Sequence, residues 1–168
     1  MKWAARMLTV MKKNGKIRRV IDFRHLNKSC KRTPTKMLSP SQMMKVMKTS
    51  NYYATIDCWQ AFHSIDLSEE DRHFTTFTTQ WGFYKYRRAP QGFLSSTDAY
   101  NLRMDEIMKG FKGFHKRCVD DIVVFGDTIE ELFQRTCSII DKLGRCGVII
   151  NAEKFLFGVK EVEFAGYK

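Results

Sequence analysis

Hydrophobic and polar positions alternate along the first part of the chain in the two-residue period of β-structure. Residues 8–11 and 17–22 read as two strands joined across 12–16, where Asn14-Gly15 suits the positive backbone angles of a tight hairpin. After an irregular stretch over 33–38, Ser39-Pro40 starts a helix whose apolar positions are Met43, Met44, Val46 and Met47. Residues 52–56 form a short apolar strand ending at Asp57, and Ser68 with Asp71 makes a capped turn. Strands over 74–79 and 83–87 pair as a second hairpin across Gln80-Trp81-Gly82. A long helix follows over 94–111, with Tyr100, Leu102, Met104 and Ile107 as its apolar positions. Residues 117–119 and 122–125 flank Asp120-Asp121 as a hairpin with two acids at its tip. Thr128 and Glu131 form a capping box for a helix reaching Arg145, which Gly147 ends, and strands over 148–150 and 162–167 follow. No repeat, low-complexity run or linker interrupts the pattern, so the chain is one continuous α+β unit.

Composition narrows the partners. With 43% hydrophobic residues, 168 residues are enough to build a core. Lys and Arg number 29 against 18 Asp and Glu, and the resulting net charge of +11 makes a polyanion the natural partner, although a basic soluble surface alone has the same balance. Cys30, Cys58, Cys118, Cys137 and Cys146 form an odd, scattered set with no CxxC pair, which argues against a disulfide framework or zinc ribbon and fits a reducing, intracellular setting. No stretch reaches the ~18 apolar residues of a membrane span, and the N-terminus lacks the apolar run of a signal peptide. His25, His63, His73 and His115 stand alone and receive no role.

The acidic residues carry the candidate chemistry. Asp57 ends an apolar strand, while Asp120 and Asp121 sit between two apolar arms; if those strands are neighbours, three carboxylates converge. Such a cluster is costly to desolvate unless a divalent cation neutralises it. On spacing alone, the plainer reading of Asp-Asp as good turn chemistry stands ahead.

Six segments in order change that weighting. They are V-M-K-K-N-G-K-I-R-R-V-I-D-F-R-H-L-N near the N-terminus, I-D-C-W-Q-A-F around Asp57, A-P-Q-G-F followed by Ser95-Ser96, C-V-D-D, Gly147 with Asn151 and Lys154, and F-A-G-Y. Together they resemble the polymerase domain of retroelement reverse transcriptases, especially those of gypsy-type LTR retrotransposons, over essentially the whole chain. The resemblance implies a polymerase palm, an antiparallel sheet backed by helices, with a β-rich fingers subdomain. Fingers would cover approximately 1–50 and 66–95, and palm approximately 51–65 and 96–168.

The resemblance also implies roles. Asp57, Asp120 and Asp121, with the backbone carbonyl of Cys58, would hold two Mg²⁺ ions, for which Mn²⁺ can substitute, and Lys154 would protonate departing pyrophosphate. Lys12, Arg18, Ala61, Phe62, Gln91 and Gly92 would form the nucleotide site, with Lys12 and Arg18 on the triphosphate and Phe62 as a wall excluding a 2′-hydroxyl, so that dNTPs are the substrates. Phe62 as a core aromatic is the alternative. Cys118, Val119, Phe164 and Gly166 would meet the primer. The implied partners are an RNA or DNA template with a DNA primer, in the cytoplasm or a virus-like particle.

Four departures from the family pattern stand out. Cys118 takes the place of a common aromatic, Ser96-Thr97 replace a small-Pro pair, the segment joining the long helix to the paired-aspartate hairpin is short, and the chain stops just past F-A-G-Y, before any thumb, connection or ribonuclease H region. Two functions are therefore expected to compete: an RNA-directed DNA polymerase domain, or a catalytically weak or inactive relic that binds nucleic acid.

Overall fold

The structure, a computed structural model, describes residues 3–11, 15–33, 42–43, 45 and 50–164. It divides into two units, one of residues 1–34 and 62–100, the other of 35–61 and 101–168.

The first unit is built on a four-stranded sheet of order β2-β1-β4-β5. Strands β1 (Ala5–Met11) and β2 (Ile17–Ile21) form the expected antiparallel hairpin, with Met11 opposite Ile17 and Gly15 at φ +76°. Lys12 to Asn14, at its tip, lie outside the described residues. Strands β4 (Phe77–Thr79) and β5 (Gly82–Tyr84) make the second hairpin, shorter than the alternation predicts. Arg72–Thr75 is a 3-10 turn instead of strand, because the Thr75 hydroxyl donates to the Arg72 carbonyl and the Thr76 hydroxyl to that of His73. The Ser68–Asp71 turn also forms, but the Ser68 hydroxyl donates to the Asp71 carboxylate at 2.6 Å, and no side chain caps the turn that follows. β1 and β4 pair in parallel, Ala5 with Phe77, a contact no local pattern announces. Ala5, Ile21 and Phe23 form the core, joined by Met7, Leu26, Phe77, Tyr86 and Phe93. A short helix, α1 (Arg24–Ser29), places Asn27 so that its side-chain oxygen accepts from the Leu94 backbone N–H at 3.0 Å, satisfying an orphan donor at the start of α2 (Leu94–Met108). α2 stops short of residue 111 at the turn through Gly110, and Leu102, expected on the apolar face, is exposed.

The second unit is an antiparallel sheet of order β6-β7-β3-β8. Its strands are β3 (Tyr52–Asp57), β6 (His115–Cys118), β7 (Asp121–Gly126) and β8 (Leu156–Val159). Ile122, Val123, Val124 and Phe125 are buried on both faces of β7, one of the two inner strands. Helix α3 (Ile129–Arg145) lies against β3 and β7 through Leu132, Thr136, Ile139 and Leu143, the stripe a 3.6-residue period dictates. On the face shared by Tyr53 and its partner Phe125, a cluster of Met43, Val123, Phe125 and Phe164 fills the core.

The Thr128 hydroxyl caps α3 by accepting from Glu131 N–H at 3.2 Å, but Glu131 reaches back to the Asp127 amide, one residue before the position a capping box predicts. At the other end Gly147, at φ +71°, donates to the Gly144 carbonyl while Val148 donates to Leu143, the paired bonds of a Schellman stop. Of the strand expected over 148–150, a single bridge survives, Ile150 to Cys58. The pattern does not predict β8, whose burial does not alternate and which Gly158 interrupts. Residues 161–163 are not strand, Phe164 is a bridge residue, and 165–168 lie outside the described residues. So does most of the helix predicted after Ser39-Pro40, of which Gln42, Met43 and Lys45 are helical.

His115 opens β6 with its Nδ1 buried and without a hydrogen-bond partner among the described residues. Burial first, then the charges of Lys116 and Arg117, lowers its pKa from 6.5 to about 4. Between these values the unfolded chain holds the proton and the folded chain does not, so stability is full above pH ~6.5 and declines as pH falls toward ~4. Urea midpoints measured across this range are expected to fall with pH, and His115→Gln to flatten the decline.

Candidate active site

The acidic site is assembled at one end of the second unit's sheet. Asp57 is the last residue of β3, and its cross-strand partner is Asp121, first residue of β7; Asp120 occupies the turn before it. Cys58 N–H donates to the Asp120 carbonyl at 2.9 Å, so Asp57 and Asp121 form a non-hydrogen-bonded pair, the kind whose side chains approach most closely. Period two places them on the same face as Thr55 and Val123. Like charges directly opposite destabilise a sheet, so this pairing is a cost that folding alone does not require.

The charges are unevenly compensated. Lys154 reaches Asp57 Oδ2 at 2.6 Å from the 3-10 turn Ala152–Lys154, and the Asn151 N–H donates to the Asp57 carbonyl at 2.8 Å. The hydrogen bond to Asp57 raises the Lys154 ammonium pKa, which keeps it protonated. Burial first, then the charges of Asp120 and Asp57, pushes the Asp121 carboxyl above its ordinary range, with Lys154 opposing. Among the described residues no three acidic, histidine or cysteine side chains are gathered so as to hold a metal ion. The three carboxylates thus sense one another's charge, with Asp57 directly opposite Asp121 and Asp120 in the adjoining turn.

The turn carrying Asp120 is strained. Cys118 pairs with Asp121, leaving Val119-Asp120 as a two-residue loop, and Val119 stands at φ +55°, where a β-branched residue is an outlier. Arg117 reaches back to the Val119 carbonyl, a role the sequence motifs do not assign; the only signal is a cation inside a strand that leads into an acidic turn. Burial, then Asp121 and Asp120, raises the Cys118 thiol pKa and keeps it neutral.

The remaining candidates lie on other elements. Arg18 is exposed on β2 opposite Val10, and Lys12 lies outside the described residues. Ala61 is buried at the start of a 3-10 turn, and Phe62 after it is half-buried with Tyr100 edge-on, ring centroids 5.8 Å apart. Gln91 is exposed; Gly92, at φ +86°, gives its carbonyl to the Asn27 amide at 2.9 Å. Cys58 buries its thiol, and Phe164 is committed to the core. Gly166 lies outside the described residues.

Residues 10–168 match the family described as reverse transcriptase (RNA-dependent DNA polymerase). The putative enzymatic polyprotein of Cassava vein mosaic virus is 30% identical over 92% of this chain and 24% of its own length. The retrovirus-related Pol polyprotein from transposon 297 of Drosophila melanogaster is 28% identical over 91% of this chain and 14% of its own. Among solved structures, prototype foamy virus protease-reverse transcriptase superposes with a TM-score of 0.88 at 27% identity, over 97% of this chain and 22% of that one. The foamy viral protease-reverse transcriptase in complex with dsDNA gives 0.84 at 25% identity, over 97% and 34%. The chain therefore spans about a quarter or less of the curated relatives named here. Among the described residues, no helix is long and apolar enough to cross a membrane.

Proposed function

Because the chain belongs to the reverse transcriptase (RNA-dependent DNA polymerase) family, we propose that it forms the fingers and palm of an RNA-directed DNA polymerase that adds dNTPs to a primer 3′-hydroxyl. The observation that carries this reading is the costly register of Asp57 against Asp121, with Asp120 beside it in a strained turn. Fingers over approximately 1–50 and 66–95 and palm over approximately 51–65 and 96–168 depart from the two structural units at 35–50, 62–65 and 96–100. A gypsy-like retroelement is the proposed origin, supported by the six ordered motifs and the transposon relative. The proposed setting is intracellular, within a longer polyprotein that supplies thumb, connection and ribonuclease H regions.

Asp57, Asp120 and Asp121, with the Cys58 carbonyl, would hold two Mg²⁺ or Mn²⁺ ions. The donor chemistry fits, since these are hard oxygen ligands and the Asp121 carboxyl is held up by burial and then by its neighbours' negative charge. Such ions, when bound, activate the 3′-hydroxyl and neutralise charge on the triphosphate. Lys154, kept protonated by Asp57, would give its proton to pyrophosphate. Phe62, braced by Tyr100, would close the space beside the 2′-carbon, and Arg18 with Lys12 would draw in the triphosphate. Cys118, Val119 and Gly166 would meet the primer, with Phe164 contributing from the core cluster it fills.

The second reading, a nucleic-acid-binding relic, is favoured by one observation: Lys154 already neutralises Asp57. Both readings share a binding prediction. With a net charge of +11, affinity for a primer-template should fall about 10³-fold between 50 and 200 mM salt if some six phosphates are neutralised. A flat salt dependence in fluorescence anisotropy contradicts both. Primer extension on an RNA template with Mg²⁺ or Mn²⁺ separates them, since the relic binds and extends nothing.

A further inference from the structure

We propose that Arg117 is a positioning residue: it anchors the Val119–Asp120 peptide and thereby holds the acidic turn in the form that aims Asp120. The kinetic consequence rests on the polymerase reading, whereas the geometry of the turn does not.

A two-residue hairpin loop has two favoured forms. With φ positive at Val119 but not at Asp120, this loop has the signature of type II′. Type I′ differs by a flip of the central peptide, which turns the carbonyl of the first loop residue over and makes φ positive at the second. Val119 keeps a positive φ in either form, but type I′ puts it in the left-handed α region, whereas the first position of type II′ lies where glycine is normally required. Aspartate, by contrast, tolerates positive φ well. Left to local preference, Val119-Asp120 should flip, and the flip would rotate the Cα–Cβ bond of Asp120 away from its present direction.

Arg117 opposes that flip. Its Nη1 donates to the Val119 carbonyl at 3.0 Å, which belongs to the central peptide. The same Nη1 donates to Asn101 Oδ1 at 2.8 Å, and Nη2 donates to Asp105 Oδ1 at 2.6 Å and to the Asn101 carbonyl at 3.4 Å. Asn101 and Asp105 are one helical turn apart on α2, and the Arg117 side chain is 8% exposed, so the guanidinium is fixed by a rigid element with little water at hand. A flip would remove one of the four acceptors of a buried guanidinium with little water to replace it, which is the costly side of the hydrogen-bond balance. On its far side Asp120 is held by the Cys58 N–H, so the residue sits between two anchors and only its inner peptide is free to turn. Lysine, with one nitrogen, cannot span Asp105, Asn101 and the Val119 carbonyl together.

The test combines kinetics with a cycle of variants. Arg117→Met in the full chain is expected to lower kcat for primer extension roughly 100-fold, with KM for dNTP and Kd for primer-template within about threefold. In the Val119→Gly background, where glycine adopts type II′ unaided, the same substitution should cost no more than about threefold. A merely structural arginine would cost the same in both. The crystal structure of Arg117→Met should show the Val119–Asp120 peptide turned over; if Arg117→Met does not fold, Arg117→Lys serves in its place. An unmoved peptide, or equal losses in the two backgrounds, overturns the proposal. If the wild-type chain extends no primer, or if Val119→Gly alone is inert, the peptide orientation in the variant structure decides: turned over sustains the anchor, unmoved refutes it. A wild type that extends nothing counts against the polymerase reading separately.

Discussion

Asp120→Asn is expected to lower primer extension by about 10³-fold or more, while thermal stability and primer-template affinity stay close to wild type. The substitution keeps side-chain size and one oxygen, so the turn can persist: its anchors are backbone groups, the Asp120 carbonyl taking a bond from Cys58 N–H and the Val119 carbonyl one from Arg117. What disappears is one negative charge that, after burial, helps hold the Asp121 carboxyl above its ordinary range. Removing it should ease Asp121 and, if anything, stabilise the apo fold. Charge stabilisation of several kcal/mol in the transition state is the magnitude that a bound metal supplies, and each ~1.4 kcal/mol is tenfold in rate. Single-turnover extension with saturating primer-template checks this directly. Equal extension by Asp120→Asn would show that the carboxylates are turn chemistry after all.

The second large effect is on substrate choice. Phe62→Ala is expected to raise the ratio of ribonucleotide to deoxyribonucleotide kcat/KM by roughly 100-fold, because a pocket that rejects a hydroxyl by size alone loses its wall. Tyr100, 1% exposed, meets the Phe62 ring edge-on and would fix where that wall stands. The competing role, a core aromatic, makes a different forecast: about 3–5 kcal/mol of lost stability with the ratio unchanged. Half-buried Phe62 should lose less than a full core ring, so chemical denaturation measured beside nucleotide competition discriminates the two. An unchanged ratio in an active, folded variant assigns Phe62 to packing.

Local chemistry makes much of the fold legible in the order of residues alone. The β1–β2 hairpin, the strand ending at Asp57, the long helix after residue 94 and the capped helix closed at Gly147 all follow from short-range period and turn residues. The same locality explains the errors. The hydroxyls of Thr75 and Thr76 bond to carbonyls three residues back, so 74–76 is a 3-10 turn and its exit instead of strand, and glycine inside Leu156–Val159 hides a real strand. The candidate residues, too, can be picked by type and order, because carboxylates at strand ends and a cation near them are visible in one dimension.

Which of them meet was decided in three dimensions. β1 lies parallel to β4, Asp57 faces Asp121 with Asp120 one step aside, and Lys154 lies on Asp57 across 97 residues of sequence. Arg117, unremarkable in a strand, ties α2 to the strained turn. Sequence by itself determined the elements, their caps and the residue types available, since those depend on contacts within a few residues. Register, ion pairing and the orientation of one peptide were left to the tertiary structure, because each is set by groups that packing, not proximity along the chain, brings within a hydrogen bond's reach.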